Sequence, residues 1–524
     1  MLKKILHINL KAIGIVLLIL IALQVITAYF FGIMAEKQFK SQFDKMTNSG
    51  IINVVNYKYS RGWFVSTEQV TLELNNNVIS NVTNIMPLKF AKESDTSGIE
   101  SGKYQLSYNS NIVNGVFAGW VFGNFMPTLA YSKSTIQMPE GVSKYLQTFF
   151  KDETPLTLTS AVYINGSGKY QVYSPDFKYE EALSGVKVNW GGATLVIKFN
   201  KDFDKFDNSF ELPLLDFYAP TKGTFTINGI DYTSDTSRSE NDIKVGEANF
   251  KLAKLSVKLE ESDISSKFKL GDTIGGLIGI NAVDFLNDVS IMNPADFTLT
   301  NVSYQSNSND TNGYFNSDVI AGFDKLVSES ASYGPLNFDF SIKHVKSASF
   351  SAVADLLESM ATMNNPTEDE KNEFSNILKK DMTPILAESP VASINRFTLQ
   401  LPSGLMSING SVTTHDFESK DMEDQSEFLN NIYATADLTV PKPVLSYLLF
   451  LQMKYFLSAG NAELDEESSK SLSELVNILL DNQLRVWLTK GYMTEESGLV
   501  KTKFKLDDGV IYLNEHPTSS KAEN

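Results

Sequence analysis

The sequence predicts an α+β protein: an N-terminal transmembrane helix followed by a β-rich ectodomain of antiparallel, curved sheets with packed helices. Three observations predict it. A run of 24 residues, Ala12 to Ala35, carries no charge. Beyond it, apolar and polar residues alternate with period two in many short segments, the pattern of half-buried strands. Between these lie a few longer stretches with apolar residues at helical spacing,.

The uncharged run comes first. As a helix it would span about 36 Å at about 1.5 Å per residue, enough for a hydrocarbon core of roughly 30 Å. Tyr29, Phe30 and Phe31 stand near its far end, where aromatic side chains favour a membrane interface. A cleaved signal peptide would have a shorter apolar stretch and a small-residue cleavage site; Ile26-Thr27-Ala28-Tyr29-Phe30 lacks one. Lys3, Lys4 and Lys11 precede or open the run with no acid, so the chain's −17 is +3 on residues 1–35 and −20 on the rest. Lysines at the short N-terminal end predict that this end stays cytoplasmic. The expectation is a single-pass protein of the bacterial inner membrane with a periplasmic C-terminal body. The expected division is 1–35 (cytoplasmic stub and anchor), 36–330 (N-terminal β-rich part) and 331–524 (C-terminal β-rich part).

The body follows in order. Glu36 to Lys45 reads as a polar helical stem. Strands are expected at Thr71–Leu74, Leu156–Thr159, Thr194–Phe199, Thr224–Ile227, Leu252–Leu259 and Leu336–Ile342, then at Phe397–Leu401, Leu438–Val440 and Val500–Leu506. Alternation gives each strand one wet and one dry face, which favours antiparallel sheets. Asp508-Gly509 between Val500–Leu506 and Val510–Leu513 predicts a closing hairpin,. Helical spacing marks Ser143–Lys151, Asp318–Ser328, Ser351–Met363, Pro443–Leu457 and Ser468–Leu488. Of these, Pro443–Leu457 is nearly all apolar and too short for a comfortable membrane span. Like Gly115–Tyr131, it reads as a helix packed under a sheet or as a lip that holds an acyl chain or lies on the bilayer. Composition places the least ordered stretches at Gln305–Asn312, Asn364–Glu373, Asp416–Glu427, Gly460–Lys470 and Pro517–Asn524,.

Composition excludes several chemistries. Zero Cys removes disulfides, thiolate nucleophiles and thiolate metal sites,. Only four His occur, and His7 and His516 lie outside the body. An acidic chain with pI ≈ 4.8 is a poor partner for nucleic acid,. No phosphate-binding loop is present: Gly166-Ser167-Gly168-Lys169 lacks the first Gly and is followed by Tyr170,. Ser308–Gly313 partly mimics a calcium loop, but Ser stands first and Val319 stands where a bidentate Glu is required,. No G-x-S-x-G elbow occurs,. No catalytic, cofactor-binding or metal-binding residue is assigned.

One stretch is less generic: Tyr57-Lys58-Tyr59-Ser60-Arg61-Gly62-Trp63-Phe64-Val65-Ser66. A Tyr pair leading into Arg-Gly-aromatic-Phe-x-Ser resembles the YdgA-like family of Gram-negative bacteria, a family of unknown function. Trp190-Gly191-Gly192-Ala193, Val245-Gly246 before Leu252–Leu259, Leu438–Pro441 before a long helix, and the hairpin Val500–Asn514 extend the resemblance over most of the chain. Asn114-Gly115-Val116-Phe117 departs from it, lacking the His and Pro of a His-Gly-Pro type turn. The resemblance implies one N-terminal inner-membrane anchor, a large periplasmic domain and no known reaction. The hairpin plan is also similar to AsmA-type envelope proteins, whose extended sheets form lipid grooves.

These readings converge on a non-enzymatic binding or scaffold protein of the cell envelope. Its candidate interaction residues are Arg61, Trp63, Phe64 and Trp120. Arg suits phosphate and Trp suits an interface; the competing role of Arg61-Gly62-Trp63 is a structural turn with its aromatic side chains in the core. The expected partners are the inner membrane, a lipid or an envelope protein held in an apolar sheet groove closed by the 443–488 helices. The rival expectations are an assembly protein acting as a homo-oligomer, and a periplasmic hydrolase built on two carboxylates.

Overall fold

The computed structural model describes residues 24, 27–37, 52–74, 104–138, 140–151, 153–220, 222–260, 296–328, 331–361, 368–422, 425–446, 449–450, 453 and 466–518. The chain divides into two compact units: 1–220 with 230–235, and 221–229 with 236–524. The division falls at residues 220–236, and residue 330 lies within the second unit.

The first unit is an antiparallel sheet. Its strands are β1 (Ile52–Ser60), β2 (Val65–Leu74), β3 (Tyr104–Asn114), β4 (Thr128–Gln137), β5 (Thr157–Tyr163), β6 (Gly168–Ser174), β7 (Phe177–Glu180), β8 (Lys187–Trp190), β9 (Ala193–Phe199) and β10 (Lys205–Ala219). Each of β1 to β5 pairs with the next, and β5 pairs with β6. Next in the sheet, β6 pairs with β9 and β7 with β8, in one continuing register. Pro175 breaks one of these long strands and Gly191-Gly192 the other. The ladder survives the break because Gly191 N–H donates to Leu214 O of β10 at 2.7 Å. Helix Glu140–Phe150 joins β4 to β5, with Phe149 stacked on Phe177 and Phe150 meeting the same ring edge to face.

The second unit continues as a meander after β11 (Gly223–Arg238), the strand within which the division falls. Its strands are β12 (Lys244–Leu259), β13 (Asp296–Thr311), β14 (Tyr314–Phe323), β15 (Lys325–Ser328), β16 (Ala331–Tyr333), β17 (Leu336–Lys346), β18 (Val391–Leu401), β19 (Gly404–Thr414) and β20 (Ile432–Pro441). It ends with β21 (Thr494–Glu496), β22 (Leu499–Asp507), β23 (Val510–Leu513) and β24 (His516–Pro517). The pairing β12–β13–β14–β17–β18–β19–β20–β22–β23–β24 is antiparallel throughout. Asp508 and Gly509 both have positive φ, the geometry of a two-residue hairpin. Helices Ser347–Ala361 and Glu368–Leu386 lie between β17 and β18. They bury Val353 and Ile385 against Ile243, Phe315 and Val345. Helix Glu466–Thr489 buries Leu472, Val476, Leu480 and Leu484, every fourth residue, and leaves Leu475, Ile478, Leu479 and Val486 exposed.

Several expectations are corrected. Among the described residues no helix is long and apolar enough to cross a membrane. The transmembrane helix expected over Ala12–Ala35 is therefore not supported, and neither is single-pass inner-membrane topology with a periplasmic body. Most of that run lies outside the described residues. Its described end is the helix at 27–37, which buries Ala28, Gly32 and Ala35 against the protein itself. The α+β class gives way to a mainly antiparallel β architecture; the β-rich character holds. Asp318–Ser328 forms strand in β14 and β15, not helix, because β13 and β17 pair along both edges of β14 and cross-strand packing overrides local spacing,. Gln305–Asn312 is ordered as the end of β13 and the turn that follows, its Ser and Asn side chains alternating on a paired strand. Of Pro443–Leu457, residues 443–446, 449, 450 and 453 are described and helical; Leu445 and Leu449 pack against Leu480, Leu484 and Val500.

Candidate functional site

The end of β1, the start of β2, the end of β3 and the start of β4 lie at one end of the first sheet. The turn from β1 to β2 is Arg61-Gly62-Trp63-Phe64. Gly62 is obligatory there: a Cβ would stand 1.9 Å from Val65 O. The turn is tied to β3 through Asn114, which is fully buried. Asn114 N–H donates to Phe64 O at 2.8 Å, and its Nδ2 donates to Ser66 Oγ at 2.9 Å and to Gly62 O at 3.4 Å. Gln24 closes the same network from the N-terminal helix. Its Nε2 donates to Asn114 O at 3.0 Å and its Oε1 accepts from Phe117 N–H at 3.2 Å. Gly115, with φ +117°, sits beneath the Gln24 amide, where a Cβ would collide.

The structure brings the four candidate residues to this end. Trp63 packs on Tyr29 of the helix with ring centroids 4.9 Å apart. Arg61 pairs with Glu36 at 3.3 Å, both about two-fifths exposed. Phe64 stands exposed beside Trp63. Trp120 lies in a short 3-10 turn, Ala118–Phe122, and meets Phe117 at 4.6 Å and Phe125 at 5.9 Å. Sequence reading singles out Phe30 and the apolar stretch Gly115–Tyr131, with Val121, Phe125 and Met126, but missed that they join the four candidates at this end. Val121 is 77% exposed, Phe125 74%, Phe30 60% and Met126 59%, far more apolar surface than scattered single residues account for. It missed Gln24 and Asn114 too, because polar side chains that hold backbone carry no motif.

A carboxyl was also missed. Glu68 lies one inward position along β2 from Ser66 and is 2% exposed. It stands opposite Tyr59 on β1 and Ser110 on β3. Ser110 Oγ in turn meets Ser134 Oγ of β4 at 2.6 Å. Burial pushes the Glu68 carboxyl up to about 8, since an apolar surround disfavours the charged form. Burial also raises Tyr59, to about 12, and holds Tyr108 and Tyr170 well above the ordinary phenol range. The period-two pattern Ser66-x-Glu68-x-Val70 was the available signal: it puts Glu68 on the face of Val70.

The second unit holds a different polar cluster. Tyr314 stacks on His344 with ring centroids 3.8 Å apart. Tyr314 OH donates to Glu388 Oε2 at 3.0 Å, and Lys346 Nζ donates to Glu388 Oε1 at 3.2 Å. His344 Nδ1 lies 2.9 Å from the Glu388 carbonyl oxygen. The Lys346 and Tyr314 hydrogen bonds hold the Glu388 carboxyl below its usual range. The cluster fastens the end of helix Glu368–Leu386 to β14 and β17. Among the described residues no three His, Asp or Glu side chains gather as a metal site.

The family model for bacterial proteins of unknown function DUF945 matches residues 9–520. The chain belongs to the DUF945 family. No curated protein and no solved structure matches it.

Proposed function

We propose that this DUF945 protein is a non-enzymatic binding or scaffold protein, and that the aromatic end of its first unit takes up an apolar segment of a partner. One observation carries the reading. Trp63, Phe64, Trp120, Val121, Phe125 and Met126 stand exposed at a strand end whose backbone is fixed by Gly62, Asn114 and Gln24. A rigid frame under exposed aromatic side chains is the arrangement of an interface core: the side chains lose little entropy on binding, and water is displaced from apolar surface. Within the family, we place the chain among the YdgA-like members on the stretch Tyr57–Ser66.

The test uses the full chain with a photo-cross-linker at Val121, beside a Phe125→Ser variant. The expected result is a discrete adduct that Phe125→Ser abolishes while leaving the melting temperature unchanged. An adduct pattern indifferent to Phe125→Ser would sink the reading. Native mass spectrometry of the same sample distinguishes a lipid occupant from a peptide one.

Self-association is a second reading, favoured by the exposed Leu475, Ile478 and Leu479 on helix Glu466–Thr489. Sedimentation of the full chain decides it: a monomer at all concentrations ends it, and a dimer lost on Ile478→Glu supports it.

A further inference from the structure

The N-terminal helix at 27–37 covers one part of the first sheet by a small-residue stripe. Ala28 and Ala35 are fully buried. Ala35 packs into a cluster with Ile112, Leu129, Ala130 and Val162, and Phe31, Tyr59 and Tyr170 lean on that cluster. Ile112 and Tyr59 flank Glu68 on the same sheet face: Tyr59 stands directly opposite it, and Ile112 is one inward position along β3 from its partner Ser110. The helix therefore stands between this part of the face and water. A hydrogen-bonded path runs from the helix to the strand that carries Glu68. Ser66, beside Glu68 on the strand, accepts from Asn114, and Asn114 O accepts from Gln24.

We propose that the helix at 27–37 is a pH-sensitive latch, closed while Glu68 is protonated and released when Glu68 ionises. Among the described residues, the groups that face Glu68 supply no compensating cation. Tyr57 and Tyr59 come from β1, Tyr108 from β3 and Tyr170 from β6; all are neutral phenols, and the last three are raised further by burial. The helix brings Glu36, itself an acid, and the nearby Arg61 is engaged with Glu36. Glu68 Oε1 finds no hydrogen-bond partner among the described residues. A carboxylate in that setting must gain water. Opening the sheet would break the ladders on both edges of β2. Among the described residues, lifting the helix breaks the Gln24 bonds, the Tyr29–Trp63 ring contact, one half-exposed ion pair and the stripe contacts, and leaves every strand ladder intact, so the helix moves first, as local unfolding follows the weakest docked element,. The latch closes below the raised titration of Glu68 and opens above it.

Hydrogen exchange on the full chain tests this, comparing wild type with Glu68→Gln at pH about 6 and about 9. Comparison at equal pH cancels the intrinsic rise in exchange. The two proteins are expected to match at 27–37 at the lower pH. At the higher pH wild type should exchange there at least about tenfold faster, while amides of β2 and β3 stay matched. An equal ratio at both pH values overturns the latch, and so does an acceleration shared by the strands, which would mean that the whole unit opens. Should Glu68→Gln fail to fold, wild type decides alone. Infrared difference spectra should show a protonated-carboxyl stretch at pH about 7 that vanishes by about 9, and the exchange of 27–37 relative to β2 and β3 should rise across the same window. A missing stretch at the lower pH, or a constant exchange ratio, overturns the proposal. Neither outcome bears on the partner-binding reading of the aromatic end.

Discussion

Glu68 and Glu388 are the same side chain in opposite settings. Glu68 is buried in the first sheet among tyrosines, with no cation beside it among the described residues, and its carboxyl is pushed up to about 8 by desolvation. Glu388 lies at an exposed helix end, where Lys346 and Tyr314 hydrogen bonds pull it down. The contrast teaches that burial without a partner selects the neutral form, whereas pairing in water selects the charged one. The consequences for folding have opposite signs. A raised carboxyl makes the folded state hold a proton that the unfolded chain has already released, so stability falls as pH rises between about 4.5 and about 8,. A lowered carboxyl gives stability above the ordinary carboxylate range that is lost as pH falls.

The sharpest way to break the comparison is Glu68→Gln. Wild type should lose on the order of 5 kcal/mol of stability between pH about 4.5 and about 8 through this one group, and the variant should lose none of it. Urea melts of both proteins across that range check it. Parallel pH profiles would show that Glu68 is ionised in the fold. Next in size is Gly62→Ala. Its Cβ would meet Val65 O at 1.9 Å, so the β1–β2 turn must rebuild, at a cost of about 3 kcal/mol. A melt that shifts by less than a third of this would mean that the turn is softer than its geometry implies. Asn114→Ala follows, at about 2 kcal/mol, because it strips buried Ser66 and Gly62 O of a donor,. It should also speed exchange in 27–37 by loosening the frame that Gln24 grips.

Which of this was legible in the sequence depends on the kind of signal. Period-two alternation located Leu252–Leu259, Leu336–Ile342 and Val500–Leu506 because a half-buried strand writes its two faces into the chain. Asp508-Gly509 was readable because its turn needs positive φ at both positions. The Asp318–Ser328 stretch misled because Val319, Ile320 and Phe323 fit a helical stripe as well as a strand, and only the neighbours β13 and β17 decide. The described end of the uncharged run is ambiguous for a related reason: Ala28, Gly32 and Ala35 look apolar to a hydropathy window, but they are a small-residue stripe fitted to a protein surface. In the site, aromatic side chains flanking Gly62 stood out as sequence, whereas Glu68, Gln24 and Asn114 acquire their roles only from strands brought together over long separations.

The smallest expected effect is on the other side of the comparison. Glu388→Gln keeps a hydrogen-bonding group near Lys346 and Tyr314 but removes the charge. Because the pair is exposed, its stability change should lie near the resolution of a melting experiment and should appear only on the neutral side of the carboxylate range, vanishing in acid where wild type is protonated too. A more specific readout is Tyr314. Its phenol is raised chiefly because it donates to the Glu388 carboxylate, so removing that charge should let it ionise at lower pH. Titration of the Tyr314 ring resonances by NMR measures this directly. An unmoved Tyr314 would mean that the Glu388 contact is absent in solution, and the pairing half of the contrast would have to be rebuilt on Lys346 alone.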